Sequence, residues 1–245
     1  MIRGYIISIV NHHQSTVATR SLIESIKTTK SEIEPIIFPA TVPGTIESDL
    51  KKIEHIDTTG LAWTYPTKAS QDGVDLKSGL TLHHYKTANL PNRIACMISH
   101  MRCWQETISR QEPIIVFEHD ATLIRQFLEK DVLTNEFKGG IIGLNNPIGA
   151  TRKARVFHEK VSSKNGLSQV PSVDGPSDPN LPQGLAGNSA YLITPTAAKK
   201  LLDKVREVGM WPNDAVMCKQ FFPWLQVVYP YYTEIQKGLK STTTR

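Results

Sequence analysis

The spacing of apolar positions changes period along the chain and marks out its elements. Gly4-Tyr5-Ile6-Ile7-Ser8-Ile9-Val10 is a short β-branched and aromatic run that reads as a strand. Residues 15–29 then place Val17, Leu22, Ile23 and Ile26 at helical intervals, and Ile36-Ile37-Phe38-Pro39-Ala40 returns to strand character. Strand, helix and strand within the first forty residues open an α/β sheet with a crossover helix. A weak helix is expected over 46–56. A stronger one is expected over 93–109, where Ile94, Met97, Ile98, Met101, Trp104 and Ile108 form one apolar stripe. Pro91-Asn92 precede this helix and Gln111-Glu112-Pro113 stop it. Beyond it come a strand at Ile114, a helix over 121–136 and a strand over Gly139–Leu144. A strand around Tyr191-Leu192-Ile193, a helix opened by Pro195 with Thr194 as N-cap, and a late strand over Trp224–Pro230 complete the pattern. Residues 58–91 and 145–185 are polar and irregular. The expected organisation is one α/β domain over residues 1–245 with two loop insertions.

Composition narrows this picture without redirecting it. The 245 residues are 40% hydrophobic and 21% charged, enough for a proper core. No run of eighteen apolar residues occurs, so no membrane span is expected, and the N-terminus reads as a strand rather than a signal peptide. Cys96, Cys103 and Cys218 are odd in number and show no C-x-x-C spacing, which points to a reducing, cytoplasmic setting. A net charge of +5 and a pI of about 9.0 permit a polyanionic partner without demanding one.

The chemistry concentrates at "IIVFEHDATL", residues 114–123, where an apolar strand runs into Glu118-His119-Asp120. Buried charge is costly without a partner. At the C-terminal end of a parallel strand, however, residues i and i+2 can face one side, and in open α/β sheets that edge is where ligands bind. Two hard oxygen ligands there suit Mg²⁺ or Mn²⁺ arriving with a diphosphate, as in the D-x-D signature of nucleotide-sugar transferases. The competing reading is that Asp120 caps a following helix.

Other segments share this context. "ACMISHMRCW" is a helix with Ser-His and a following Trp, and "IIVFEHD" follows about a dozen residues later. "AGNSAYLITPTAAKKLL", "WPNDAV" and "IIFPATVPG" complete the set. In order and spacing these motifs resemble glycosyltransferase family 25, the lipooligosaccharide and collagen sugar transferases, over about two thirds of the chain. The resemblance implies a GT-A, Rossmann-like fold, a nucleotide-sugar donor with UDP expected, and inversion at the transferred carbon. Inversion needs a general base, and the resemblance puts Asp214 in that role. The alternative is that Asp214 caps a helix over 215–222. The resemblance further implies metal binding by Glu118 and Asp120, and donor contacts from Glu118, Ser99 and His100. Asn11 lies straight after the first strand, at the expected nucleotide edge. Gly187 and Asn188 allow close backbone approach to a sugar, and Gln236 and Lys240, with Lys237 and Ser241, lie in a basic tail able to cover a diphosphate. Cys96 and His100 are i, i+4 but are two ligands only, too few for zinc. The chain departs from the family pattern in three places. His119 replaces a middle Asp and is expected to be a spacer, Asn188 stands where a small or hydroxyl residue is common, and "WPNDAV" keeps one acid.

The acceptor is less legible. The two insertions are the natural acceptor walls. In the second, Arg152, Lys153, Arg155, Lys160 and Lys164 face only Glu159. A glycan or lipooligosaccharide acceptor is expected. A hydroxymethylated DNA base is the alternative, drawn by phosphate contacts and held by Trp63, Tyr65, Tyr85 or Phe157. A non-catalytic nucleotide-sugar binder is a third reading, given His119 and the single late acid.

Overall fold

The computed structural model describes every residue except 69, 71, 85, 86, 88, 150–152, 175–179 and 240–245. Its centre is a seven-stranded sheet. The strands are β1 (Ile2–Ser8), β2 (Ile33–Pro39), β5 (Ile114–Glu118), β7 (Ile141–Gly143), β8 (Gly166–Gln169), β9 (Ala190–Ile193) and β10 (Gln226–Tyr229), in the order β2-β1-β5-β9-β7-β10-β8. β1 pairs in parallel with both β2 and β5, and β7 with β10; β9 and β8 run antiparallel to their neighbours. The crossover from β1 to β2 is helix α1 (His13–Thr28), as the opening pattern predicts.

β5 lies between β1 and β9, so it is apolar on both faces and Ile114 to Phe117 are fully buried. Its side chains alternate. Ile114 and Val116 pack into the core with helices α3 (Leu90–Arg110) and α6 (Pro195–Val208), while Ile115 and Phe117 pack on the opposite face with Leu22 and Ile26 of α1. Continued past the strand, this alternation turns Glu118 towards α3. The apolar stripes expected of α3 and α6 are the ones buried, among them Met97, Ile98, Met101 and Trp104 against Ala198, Leu201, Leu202 and Val205. Asn89 caps α3 by accepting from Asn92 N at 3.2 Å.

Several expectations are corrected. Residues 121–136 do not form a helix. Ala121–Leu123 is strand β6, paired antiparallel with β11 (Thr233–Ile235), and only Glu129–Val132 is helical (α4). Leu123, Phe127 and Val132 are buried at near-helical spacing, but their backbone donors go to side chains: Leu123 N to Ser25 Oγ and Phe127 N to Ser31 Oγ. The helix expected over 46–56 is α2, Ile46–Leu50 only, and 215–222 is replaced by the single turn α7, Asn213–Val216. The insertions are not wholly irregular. The first holds a hairpin, β3 (Gly73–Val74) with β4 (Thr81–Leu82), and is tied to the end of α6 by Thr64 Oγ1 donating to Val208 O at 2.7 Å. The second holds α5 (Ala154–Val161), which buries Ala154, Phe157 and Val161, and edge strand β8. Among the described residues no helix is long and apolar enough to cross a membrane.

Candidate active site

The carboxyl ends of β1 and β5 lie side by side, and the chain leaves them in different directions, β1 towards β2 and β5 towards β6. This is the crevice in which open α/β sheets hold ligands. Asn11 adopts a left-handed φ of 59° in the exposed turn after β1. His12 caps α1, its Nδ1 accepting from Ser15 N at 3.2 Å, and its charge is felt at His119 in the turn after β5. Burial holds the His119 imidazole below its ordinary pKa, with the Glu118 charge and the Ile7 backbone working against it.

Glu118 and Asp120 face away from β1. Glu118 Oε1 lies 3.3 Å from His100 Nε2, and its side chain keeps 32% of its surface open. Burial pushes its carboxyl up, but the hydrogen bond from His100 and electrostatic attraction to the neighbouring His119 and Arg93 side chains outweigh this, and the net direction is down. Asp120 goes the other way. Burial and the neighbouring Glu118 charge push it up to about 7, against which a hydrogen bond with the Ser189 side chain works. Its Oδ1 is buried with no hydrogen-bond partner among the described residues. Asp214, in the first turn of α7, is likewise raised, by burial and by Glu118, while Arg93 pulls it down. Cys96 feels Glu118, Arg93, Asp214 and Asp120 together, so one cluster holds all three acids.

Both metal sets that the sequence offers meet at this point. Glu118 and Asp120 supply two electrostatically opposed carboxylates with an orphaned oxygen, a donor set that a hard divalent cation fits. Ligand atoms of Cys96, His100 and Glu118 also lie within 4.8 Å of one another, in surroundings whose burial pushes the Cys96 thiol up.

Some expected residues have other partners. The Ser99 hydroxyl accepts from Thr41 N and donates to Ala95 O, both at 2.9 Å, fastening the segment after β2 to α3. Gln236 clasps the acidic turn: its N donates to Asp120 O at 2.7 Å, and its Nε2 reaches the carbonyls of Ala18, His119 and Ala121 at 2.9, 3.2 and 2.8 Å. Gln236→Ala should therefore cost about 1–3 kcal/mol, read by thermal melting, because it orphans part-buried carbonyls. An unchanged melt would show the clasp to be idle. Gly187 has φ +68°, which only glycine adopts freely, and it delivers Asn188 to the site. Both amide atoms of Asn188 are buried without a partner among the described residues, as is Nδ2 of Asn213. Lys240 and Ser241 lie outside the described residues.

Sequence reasoning overlooked Arg93, Asn213, Ser189 and the role of Tyr191. A helical signal for Arg93 was present, because Arg93, Cys96 and His100 are i, i+3 and i+7 on one face of α3.

Glu118, Asp120 and Asp214 thus form one electrostatic cluster at the carboxyl edge of a Rossmann-like α/β sheet. Residues 1–217 match glycosyltransferase family 25 (LPS biosynthesis protein), and the chain belongs to that family. It is a glycosyltransferase, and its sheet agrees with the GT-A architecture the motifs imply. No curated protein matches it. Among solved structures, an active-site mutant of LgtC is similar with 8% sequence identity and a TM-score of 0.45, over 98% of this chain and 89% of that one.

Proposed function

We propose that this single-domain chain transfers a sugar from a UDP-sugar to a hydroxyl of a glycan of the lipooligosaccharide type, with inversion and with Mn²⁺ or Mg²⁺. The observation that carries the reading is the pairing of Glu118 with Asp120 at the carboxyl edge of β5 and Asp214 in the same electrostatic cluster. Glu118 and Asp120 would hold the cation, whose contribution when bound is to neutralise the departing diphosphate. Asp214 takes the proton from the acceptor hydroxyl as it attacks. Burial raises its affinity for protons, which suits a general base. The unpartnered amide of Asn188 and Nδ2 of Asn213 supply donors and an acceptor for sugar hydroxyls, and Asn11 is offered to the nucleoside. Lys237, exposed on the tail, can approach the diphosphate. The three free cysteines support a reducing cytoplasm as the working compartment.

A glycan is favoured over a modified DNA base on two grounds. Lys153 is paired with Asp174, and Lys160 donates to Ser172 O at 2.8 Å, which reduces the free cations of the second insertion. Tyr65 and Phe157 are core residues, closed to a flipped base, and Tyr85 lies outside the described residues. Of the three that are described, Trp63 alone is half-buried.

The test is slow hydrolysis of a UDP-sugar panel with and without Mn²⁺, followed by acceptor screening. Asp214→Asn should lower transfer by about 10²–10⁴-fold while donor and metal binding persist. Absence of any metal-dependent UDP binding by the wild type would sink the reading in favour of a degenerate protein. Tight, salt-sensitive binding of hydroxymethylated DNA would move the acceptor to nucleic acid.

A further inference from the structure

Trp104, Tyr191, His100 and Glu118 form one chain of hydrogen bonds whose direction can be assigned atom by atom. The indole Nε1–H of Trp104 can only donate, and it lies 2.8 Å from the Tyr191 hydroxyl oxygen. The hydroxyl proton has His100 Nδ1, 2.9 Å away, as its acceptor. A neutral imidazole that accepts at Nδ1 carries its proton on Nε2, and Nε2 faces Glu118 Oε1. Trp104 and Tyr191 are 0% exposed and His100 is 1% exposed. With the opposite tautomer, Nδ1–H would point at an oxygen already accepting from Trp104. Among the described residues the Tyr191 hydroxyl has hydrogen bonds only with Trp104 and His100, so its proton would then be left unpaired, a penalised state in so dry an interior.

We propose that Tyr191 and Trp104 are positioning residues that fix His100 as an Nε2–H donor, and that His100 thereby aims Glu118, leaving its second oxygen to the cation, without itself ligating metal. The inference rests on the Glu118–Asp120 donor site described above. It also decides between the two candidate ligand sets. Cys96, His100 and Glu118 could share a metal only if Nε2 were bare, and the Trp104–Tyr191 relay places a proton there. Trp104 and His100 are one helical turn apart on α3, and Tyr191 reaches them from β9, next to β5. Two short motifs distant in sequence thus act on the carboxylate of a third.

The experiment uses the full chain, with circular dichroism confirming the fold of each variant. ¹⁵N NMR of the His100 ring reads the tautomer, and loss of the free Mn²⁺ electron paramagnetic resonance signal reads metal affinity. The wild-type ring should carry its proton on Nε2, and Tyr191→Phe should mix the two tautomers. A glutamine amide can place an N–H where Nε2 was, so His100→Gln and Cys96→Ser should keep the Mn²⁺ dissociation constant within about threefold, whereas His100→Leu should raise it about tenfold or more. A proton on Nδ1 in the wild type overturns the proposal. So does His100→Gln losing metal as badly as His100→Leu, the result for an imidazole ligand, or His100→Leu binding Mn²⁺ like the wild type. Should the wild type bind no Mn²⁺ at all, the cation site of the preceding reading fails, and the NMR comparison of wild type with Tyr191→Phe still decides the relay.

Discussion

Asp120→Asn is expected to lower metal-dependent donor hydrolysis by about 10³-fold, the rate equivalent of the several kcal/mol a bound cation lends to a departing charge. The same substitution should make the metal-free protein melt higher. Asp120 is held near Glu118 in a largely dehydrated turn, and the two effects together push its carboxyl up to about 7 from an ordinary 3.8. Between about pH 4 and 7 the folded protein therefore keeps a proton that the unfolded chain has lost. Stability of the metal-free protein falls as pH rises through that window and stays reduced above it. Asparagine carries no charge to repel Glu118, so its variant loses that slope and should gain roughly 2–4 °C for each kcal/mol relieved. Cation binding should counter the same repulsion, so Mn²⁺ should raise the wild-type melting temperature more at pH 8 than at pH 6 and leave Asp120→Asn nearly unmoved. A variant that melts lower than the wild type at pH 8 would mean that Asp120 is a structural cap and not half of a strained ligand pair.

Gly184→Ala should be the most damaging methyl group near the site. A Cβ at residue 184 would lie 2.1 Å from the carbonyl oxygen of Asp214 and 2.9 Å from that of Met217. Both are backbone atoms of the turn that carries the proposed base, and neither can swing aside as a side-chain end could. Residue 184 also bridges Cys218, so the strain is locked in from both ends of the turn. The expected cost is about 3 kcal/mol, a fall of roughly 6–12 °C in melting temperature, with turnover falling further than donor binding because Asp214 is displaced. Gly44→Ala is the matched control, since nothing lies within 4 Å of its Cβ and its φ is not left-handed. Melting of Gly184→Ala within a degree of this control would show that the turn yields freely.

What the sequence disclosed, and what it hid, follows from the range of the interactions involved. The burial of Ile114 to Phe117 on both faces of the sheet follows from the central position of their strand, and it was legible as an unbroken apolar run. The stripe of α3 was legible for the same reason. Residues 121–136 misled because Leu123, Phe127 and Val132 repeat at near-helical intervals. Pairing with Thr233–Ile235 and hydroxyl caps from Ser25 and Ser31 take the backbone donors a helix would need. Helix α5 was masked by its own Arg155, His158, Glu159 and Lys160, although Ala154, Phe157 and Val161 keep the i, i+3, i+7 spacing. At the site, Glu118 and Asp120 could be singled out by local pattern alone. The partners of His100 could not, because Tyr191 lies 91 residues away in sequence, and nothing local tells a buried histidine ligand from a buried histidine donor.

The clasp made by Gln236 has a kinetic side. It joins two segments 117 residues apart, and it tightens a turn that the pairs of β1 with β2 and with β5 do not themselves require. Contacts of such long range form late, and this one, made by the half-buried residues His119, Asp120 and Gln236, opens first. Mild heat or low denaturant should thus release the acidic turn while the sheet stands. Catalytic competence would then be lost in a transition earlier than unfolding, and hydrogen exchange at the Asp120–Gln236 pairing would report that opening ahead of the β5 core.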